Sequence, residues 1–318
     1  MTNETFLGDC LVENENIKNG SVDLILTDLP YGTMEGQSGT GIYHQGKEKH
    51  EWDSIIDTDK IMQISNRILR KNGKMILFAQ EPFTHELKEK AIPNLPFNYR
   101  AIWLKDTLGS FMRSKKALLY KTEDILVFSK NHDTEDLHPL RNYLKECKKE
   151  SGLTNRQFNN LFSDYTNKKG NRDRSVLEHY WQPSQFCMPT EEIYKNILQP
   201  TGFFKRSYEG LKAIDDKFKK EFESTFNLWE GGKYKDNVFE YKRDKDGLHP
   251  TQKPILLLED LIKTFSNEGA TVVDLTAGSF STAIACINTN RFYKCIEQDT
   301  NYYNIGINRI KERLAMLF

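Results

Sequence analysis

Cysteine is scarce in this chain and widely spread. The five cysteines are odd in number and include no Cys-x-x-Cys pair; they are Cys10, Cys147, Cys187, Cys286 and Cys295. A disulfide framework or a zinc site built on paired cysteines is therefore not expected, and we predict no metal site.

Long apolar runs and an excess of charge of one sign are also missing. No eighteen apolar residues follow one another, and the first residues, Met1–Thr5, lack the basic and apolar regions of a signal peptide. The 45 basic residues balance the 45 acidic ones, so the formal net charge is 0. We therefore expect an intracellular protein without a membrane partner, and the overall charge does not identify any other partner.

Basic residues are nevertheless concentrated in two segments. Residues 141–174 hold nine Lys or Arg against four Asp or Glu, and residues 99–121 hold six against one. Contacts to nucleic-acid phosphates, if the protein makes them, should concentrate there. The candidate DNA-binding residues are Lys105, Arg113, Lys115, Lys116, Arg156, Lys168, Lys169 and Arg172.

Both ends of the chain alternate apolar, strand-like runs with helical patterns. A chain of 318 residues can bury one α/β core and one inserted module. The alternation predicts a doubly wound, mostly parallel sheet of the Rossmann-like kind, with ligands at the carboxyl ends of its strands. The predicted strands include 22–27, 74–79, 97–104, 124–128 and 271–274.

The middle of the chain breaks this alternation. It has amphipathic helical patches and no strand-like apolar run, so we expect an inserted helical domain at 136–235 between two parts of one domain, 1–135 and 236–318. A helix at 141–150, the turn at Gly152 and a helix at 155–162 capped by Thr154 predict a helix-turn-helix unit. An ordinary helical hairpin fits the same spacing.

The segment Asp28-Leu29-Pro30-Tyr31 follows the apolar run Val22–Thr27 directly. A carboxylate beside a prolyl carbonyl offers two acceptors to an exocyclic amino group, and the phenol ring offers a flat surface on which a base can stack. The plainer interpretation is an ordinary turn after a strand, since Asp and Pro are common turn residues.

Two segments near the other end point to a nucleotide cofactor. Thr271-Val272-Val273-Asp274 reads as a strand that runs into the small-residue loop Leu275–Ser279, and a buried helix is expected after that loop. Upstream, His249-Pro250-Thr251-Gln252-Lys253-Pro254 precedes an apolar helical pattern at 255–262, in which Pro254 suits the first turn.

Together these three segments resemble the amino-group DNA methyltransferases, in their circularly permuted beta class. There an Asp-Pro-Pro-Tyr motif comes first, a target-recognition domain follows, and the cofactor motifs come last. Here Leu29 replaces the first proline of the catalytic motif, and Phe280-Ser281 replace a Gly-Thr pair of the cofactor loop. We expect Leu29 to be tolerated and Phe280 to narrow the cofactor pocket.

The resemblance implies that S-adenosyl-L-methionine is the cofactor and that Asp28, Pro30 and Tyr31 are catalytic. In this assignment Asp28 and the Pro30 carbonyl accept the target amine, and Tyr31 holds the flipped base. Glu297 is expected to accept hydrogen bonds from the ribose hydroxyls. The implied cofactor-binding residues are Asp9, Cys10, Asp28, Thr251, Gln252, Lys253, Asp274, Ala277, Gly278, Ser279, Glu297 and Gln298.

The resemblance further implies double-stranded DNA as the partner and the cytoplasm as the location, in a bacterium or in the host of a phage that encodes the protein. An acid at the first motif position favours adenine N6 as the acceptor. Methylation of cytosine N4 and a non-catalytic DNA-binding role are the alternatives. The sequence leaves open the recognition site, a homodimer and a cognate restriction enzyme.

Overall fold

The computed structural model describes residues 2–30, 56–108, 115, 118–132, 138–161, 180–181, 186–228, 232–244 and 252–316. Within them the strands are β1 Glu4–Leu7, β2 Val22–Thr27, β3 Leu69–Ala79, β4 Phe97–Leu104, β5 Thr122–Ser129, β6 Val238–Glu240, β7 Thr271–Asp274 and β8 Phe292–Glu297. The α-helices are α1 Cys10–Glu13, α2 Thr58–Ile68, α3 Phe83–Glu89, α4 Pro139–Ser151, α5 Asn155–Leu161, α6 Glu191–Ile193, α7 Tyr208–Glu221, α8 Ile255–Phe265, α9 Ser281–Asn288 and α10 Thr300–Ala315.

The described strands form one sheet in the order β1-β8-β7-β2-β3-β5-β4-β6. The neighbours from β1 to β3 are parallel, as is the pair β4–β6. This confirms the predicted α/β fold with a mostly parallel sheet. Among the described strands β5 is the exception, because it runs antiparallel to both of its neighbours.

Helix starts follow the local chemistry of the sequence. Asp57 accepts a hydrogen bond from the backbone of Lys60 and so begins α2. Pro254 precedes α8 in an extended conformation, and Asp299 accepts from two backbone amides at the start of α10. Two apolar layers, one on each face of the sheet, bury most of the strand side chains. Among the described residues no helix is long and apolar enough to cross a membrane.

The chain divides into two units, Met1–Lys130 with Ser224–Phe318, and Asn131–Glu223. The first unit contains the sheet, and the described elements of the second are helical. The second unit ends at 223, whereas the inserted domain was expected to continue to 235.

Within the second unit, α4 is capped after Ser151 by Gly152, whose φ of 62° is in the left-handed region that suits glycine. Thr154 and Gln157 then exchange hydrogen bonds as a capping box at the start of α5. Side chains of both helices, among them Leu144 and Phe158, share one apolar core. The expected order of helix, glycine turn and helix is therefore present, and a helix-turn-helix and a helical hairpin both fit it.

Phe280, which was expected to narrow the cofactor pocket, is fully buried in the apolar core. It precedes α9 with a φ of 62°, a conformation that is strained for a residue with a side chain. Its ring is buried and packs edge-on against Tyr303 of α10, with the ring centroids 5.5 Å apart. A Cβ added at Gly306 would lie 2.5 Å from the Phe280 ring. The missing side chain at Gly306 therefore makes the room that the ring occupies.

We expect Gly306→Ala to destabilise the protein by about 1–3 kcal/mol through steric overlap with Phe280, although alanine is the better helix former by about 1 kcal/mol. Phe280→Ala alone should cost about 3–5 kcal/mol by leaving a cavity. In the Phe280→Ala background, Gly306→Ala should become neutral or stabilising. Urea unfolding of all four proteins tests this, and additive effects would contradict the packing between the two residues.

Candidate active site

Four acidic residues lie at or just after the carboxyl ends of four adjacent parallel strands. Asp9 comes after β1, Glu297 ends β8, Asp274 ends β7 and Asp28 follows β2. Because the carboxyl ends of parallel strands meet at one edge of a sheet, the structure brings these predicted site residues together there. The first and last parts of the sequence therefore contribute to one candidate site.

Asp28 is held at this edge by a segment from the far end of the chain. The hydroxyl of Thr276 donates to the backbone carbonyl of Asp28 at 2.9 Å, and the hydroxyls of Thr27 and Thr276 lie 2.8 Å apart. Leu29, the departure from the catalytic motif, is buried in the apolar core, and Pro30 is half-buried. Tyr31 lies outside the described residues.

The Asp28 carboxylate belongs to a group of alternating charges that we call the charge cluster, formed by Asp28, Lys253, Glu123 and Lys105. The Lys253 ammonium forms an ion pair with Asp28 and lies 3.0 Å from Glu123 Oε1. The other oxygen of Glu123 lies 2.5 Å from the Lys105 ammonium. Asp28 is 20% exposed, whereas the other three side chains are 6–8% exposed. The cluster therefore presents Asp28 to solvent and buries its three partners.

Burial and mutual attraction act in opposite directions within the cluster. Burial alone would lower the pKa of Lys253, but the carboxylates of Asp28 and Glu123 outweigh it and raise that pKa. Burial alone would also raise the pKa of Glu123, and the ammonium groups of Lys253 and Lys105 hold it below its ordinary value. For Lys105 burial is the larger effect and lowers the pKa. At neutral pH we expect Lys253 to be charged and Glu123 to be ionised.

The cluster corrects one expectation about DNA binding. Lys105 was expected to contact phosphate, but its side chain is buried, ion-paired with Glu123 and placed over the Trp103 ring. Of the other candidates, Lys115 and Arg156 are exposed. The remaining five lie outside the described residues, namely Arg113, Lys116, Lys168, Lys169 and Arg172.

Glu297 is oriented by backbone amides of two different segments. Its two carboxylate oxygens accept from the amides of Gly278 and Asp299, each at 2.7 Å. Burial raises its pKa in spite of these bonds. A carboxylate has about four acceptor positions, so two backbone bonds fix its direction and leave capacity for two neighbouring hydroxyls. These remaining acceptor positions fit the two hydroxyls of the ribose of a nucleoside cofactor.

Asp274 shapes the loop that follows β7. Its oxygens accept from the Thr282 hydroxyl at 2.5 Å and from the backbone amide of Thr276 at 3.2 Å. Burial raises the pKa of Asp274 to about 6. The backbone amide of Ala277 donates to the Ile296 carbonyl at 2.9 Å, which ties the same loop to β8.

Ser279 lies at the end of this loop, where three segments meet. Its hydroxyl donates to the side-chain oxygen of Gln252 at 3.2 Å. The Arg309 guanidinium donates to the Ser279 carbonyl at 2.6 Å and to its hydroxyl at 2.9 Å. The structure therefore brings together Gln252 and Ser279, which were both expected to contact the cofactor. Arg309 also contacts Ser279, and the sequence analysis missed this residue. Thr251 lies outside the described residues.

The remaining candidates lie around the start of α1 and the end of β8. Asp9 is exposed and caps α1 by accepting from the Leu11 amide at 2.9 Å. Cys10 is buried at the start of that helix, and burial raises the pKa of its thiol to about 12. Gln298 is exposed directly after β8. Within the described ranges no group of three or more His, Cys, Asp or Glu side chains could hold a metal ion.

The sequence profile of the DNA methylase family, which covers N6 and N4 enzymes, matches residues 22–308. Since this match spans most of the chain, the protein belongs to the N6/N4 DNA methylase family.

Individual proteins agree with this family. The DNA adenine methyltransferase YhdJ of Escherichia coli K12 is 25% identical over 304 residues, which cover 95% of this chain and 81% of that protein. The crystal structure of the M1.HpyAVI-SAM complex matches with a TM-score of 0.52 at 16% identity, over 96% of this chain and 98% of that one. The cytosine-N4-specific PvuII DNA methyltransferase matches with a TM-score of 0.51 at 13% identity, over 97% of this chain and 86% of that one.

The raised pKa of Asp274 predicts a pH-dependent stability. Because the folded protein favours the protonated carboxyl, this stabilisation is fully present below the ordinary pKa of an aspartate and is lost as the pH rises through about 6. Asp274→Asn cannot titrate. The free energy of unfolding of the wild type, relative to the variant, should therefore fall by on the order of 2–3 kcal/mol between about pH 4 and pH 7. Urea unfolding across this range measures the difference, and a constant difference would contradict the assignment.

Proposed function

We propose that this protein transfers a methyl group from S-adenosyl-L-methionine to the N6 amino group of an adenine that is flipped out of double-stranded DNA. The observation that carries the proposal is the placement of Asp28. Its carboxylate is ion-paired with Lys253, and its backbone accepts from Thr276, so residues of both cofactor-side motifs contact the catalytic turn.

The chain's own residues account for the chemistry as follows. An aromatic amine is a poor nucleophile because its lone pair is delocalised into the ring. Asp28 accepts one amino hydrogen and the Pro30 carbonyl accepts the other, which localises the lone pair and stabilises the positive charge that develops on nitrogen. When bound, the cofactor supplies an electrophilic methyl group on a sulfonium. The amine held by Asp28 and Pro30 would accept that methyl group, leaving the cofactor as a neutral thioether, and the surplus proton of the amine would pass to solvent water.

Cofactor binding is assigned to the edge between β1 and β7. Glu297 would accept from the two ribose hydroxyls, while the loop from Asp274 to Ser279 would approach the methionine part. Asp9 would face the adenine amine of the cofactor. The fixed direction of the Glu297 carboxylate supports this assignment, since its two backbone donors come from the loops after β7 and β8.

Adenine is favoured over cytosine by two associations, the acidic residue at the first motif position and the name of the E. coli relative. A non-catalytic DNA-binding protein was suggested by Leu29 and Phe280 alone. Both of these side chains lie in the core, so neither obstructs the site. DNA as substrate in turn favours a cytoplasmic location.

The deciding experiment is incubation of plasmid DNA with the purified protein and labelled S-adenosyl-L-methionine, followed by nucleoside analysis and single-molecule sequencing. We expect N6-methyladenine at one sequence motif. N4-methylcytosine would support the cytosine alternative. Cofactor-independent DNA binding without any methylated nucleoside would support the non-catalytic one.

Two variants separate catalysis from cofactor binding. Asp28→Ala should abolish methyl transfer and change cofactor affinity less than a substitution at Glu297 does, because the main proposed role of Asp28 is to accept the target amine. Glu297→Gln should instead weaken cofactor binding by about 1–3 kcal/mol, through loss of charge-assisted hydrogen bonds. Calorimetry and methylation assays on both proteins test this. An active Asp28→Ala protein, or unchanged affinity in Glu297→Gln, would remove that residue from its role.

The helical unit is the proposed reader of the DNA sequence. Replacing Arg156, Lys168, Lys169 and Arg172 together with alanine should weaken duplex binding. The slope of log affinity against log salt should fall by about 0.9 for each phosphate that the variant no longer neutralises. A matched control removes four exposed lysines of the same unit, Lys205, Lys212, Lys217 and Lys220. If both variants behave alike in a salt titration, the first four residues do not bind the DNA.

A further inference from the structure

The charge cluster contains a carboxylate that the proposed chemistry does not yet use. Glu123 lies at the start of β5, and the antiparallel direction of that strand brings it to the carboxyl edge of β3, where Ala79 pairs with Asp124. One oxygen of Glu123 faces Lys253 at 3.0 Å and the other faces Lys105 at 2.5 Å. Glu123 therefore contacts the lysine that holds the catalytic Asp28.

The cost of burying these charges indicates that the arrangement is specific. An ammonium that is 8% exposed, as in Lys253, is expensive unless carboxylates surround it. Lys253 has two such partners, and its ammonium lies 5.0 Å from the centroid of the Phe78 ring. Two anions and two cations alternate along the cluster, so its formal charge is balanced.

We propose that Glu123 is a positioning residue for methyl transfer, which holds the Lys253 ammonium through a second ion pair and so fixes the Asp28 carboxylate at the target amine. Lys105 balances the charge of Glu123. This inference rests on the proposed function, because it gives a role to groups behind the proposed catalytic acid.

The charges around Lys253 determine what the removal of Glu123 should do. Asp28 faces it from the turn after β2 and Glu123 faces it from β5. Lys105 after β4 adds positive charge near Lys253, and Arg243 after β6 adds positive charge near Lys105. Asp274, at the end of β7, adds negative charge near Asp28. Glu123→Gln keeps the shape and removes one of the two anions that favour the charged lysine. Lys253 should then lose its proton at lower pH, and Asp28 would lose its fixed counter-ion.

The first test measures the chemical step. In single-turnover methylation with enzyme, labelled cofactor and plasmid DNA premixed, Glu123→Gln should be slower than the wild type by about tenfold. Removing a preorganised donor that touches the reacting group costs about 10²–10³ in rate, and Glu123 acts one contact further away, through Lys253. The alkaline limb of its pH–rate profile should move toward neutral pH. Its cofactor dissociation constant, measured by calorimetry, should stay close to that of the wild type.

A second readout needs neither cofactor nor DNA. The ¹³Cε signal of Lys253 in labelled protein reports its protonation, with Lys253→Arg used for assignment. In Glu123→Gln the signal should titrate at lower pH than in the wild type. Unchanged titration together with an unchanged single-turnover rate would overturn the inference.

A matched control separates positioning from simple stability. Asp260 on α8 is also a buried carboxylate, and it pairs with Lys235 and with the Tyr241 hydroxyl. Asp260→Asn should lower the melting temperature without changing the single-turnover rate of the folded protein. If Glu123→Gln, like Asp260→Asn, lowers only the melting temperature and leaves the single-turnover rate unchanged, Glu123 has a structural role and the proposal fails.

The double variant Glu123→Gln/Lys105→Met removes one anion and one cation and leaves the cluster balanced. If Glu123→Gln alone does not fold, this double variant tests the positioning role of Glu123 instead. Its single-turnover rate should also be about tenfold lower than that of the wild type, because Lys253 still lacks its second carboxylate. A double variant as fast as the wild type would overturn the inference. A wild-type protein without methylation activity would instead contradict the proposed function itself.

Discussion

The pairing of β2 with β7 is the constraint on which the candidate site depends, because it joins segments that are about 250 residues apart in the chain. At the start of this pairing the Asp23 carboxylate accepts from the Thr271 amide at 2.8 Å and from Arg70 at 2.5 Å. At its end Thr27 and Thr276 join through their hydroxyls. Loop-closure entropy grows only with the logarithm of loop length, so an insertion of this size between the two strands adds little cost. The turn after β2 and the loop after β7 can therefore belong to one edge although a helical unit separates them in sequence.

Local features of the chain predicted most of the sheet. The strands Val22–Thr27 and Phe97–Leu104 begin and end where the apolar runs do, and the caps at Asp57 and Thr154 act as their residue types suggest. These features depend on neighbours a few residues away, which a sequence displays directly. The grouping of acidic residues at one edge followed from the parallel order of the strands.

Features that depend on strand direction were not predictable in the same way. An apolar run has the same pattern whether its strand is parallel or antiparallel, so nothing local to Thr122–Ser129 indicated that β5 is reversed. A parallel β5 would have placed Glu123 at the opposite edge of the sheet, away from Asp28. The prediction that Lys105 contacts DNA was wrong for a related reason. A lysine in a basic segment is expected to be exposed, and its sequence neighbourhood does not show that it pairs with the buried Glu123.

The packing of Phe280 against Gly306 carries a consequence for how such a loop could have diverged. A phenylalanine at 280 fits only if residue 306 has no side chain. A glycine at 306, in contrast, is compatible with a smaller residue at 280. The two changes therefore have a permitted order, in which the loss of the side chain on α10 comes first. Reversal would follow the same path backwards, so the ring at 280 has to be lost before a side chain can return at 306. The residue on α10 therefore limits which residues the loop can carry at 280.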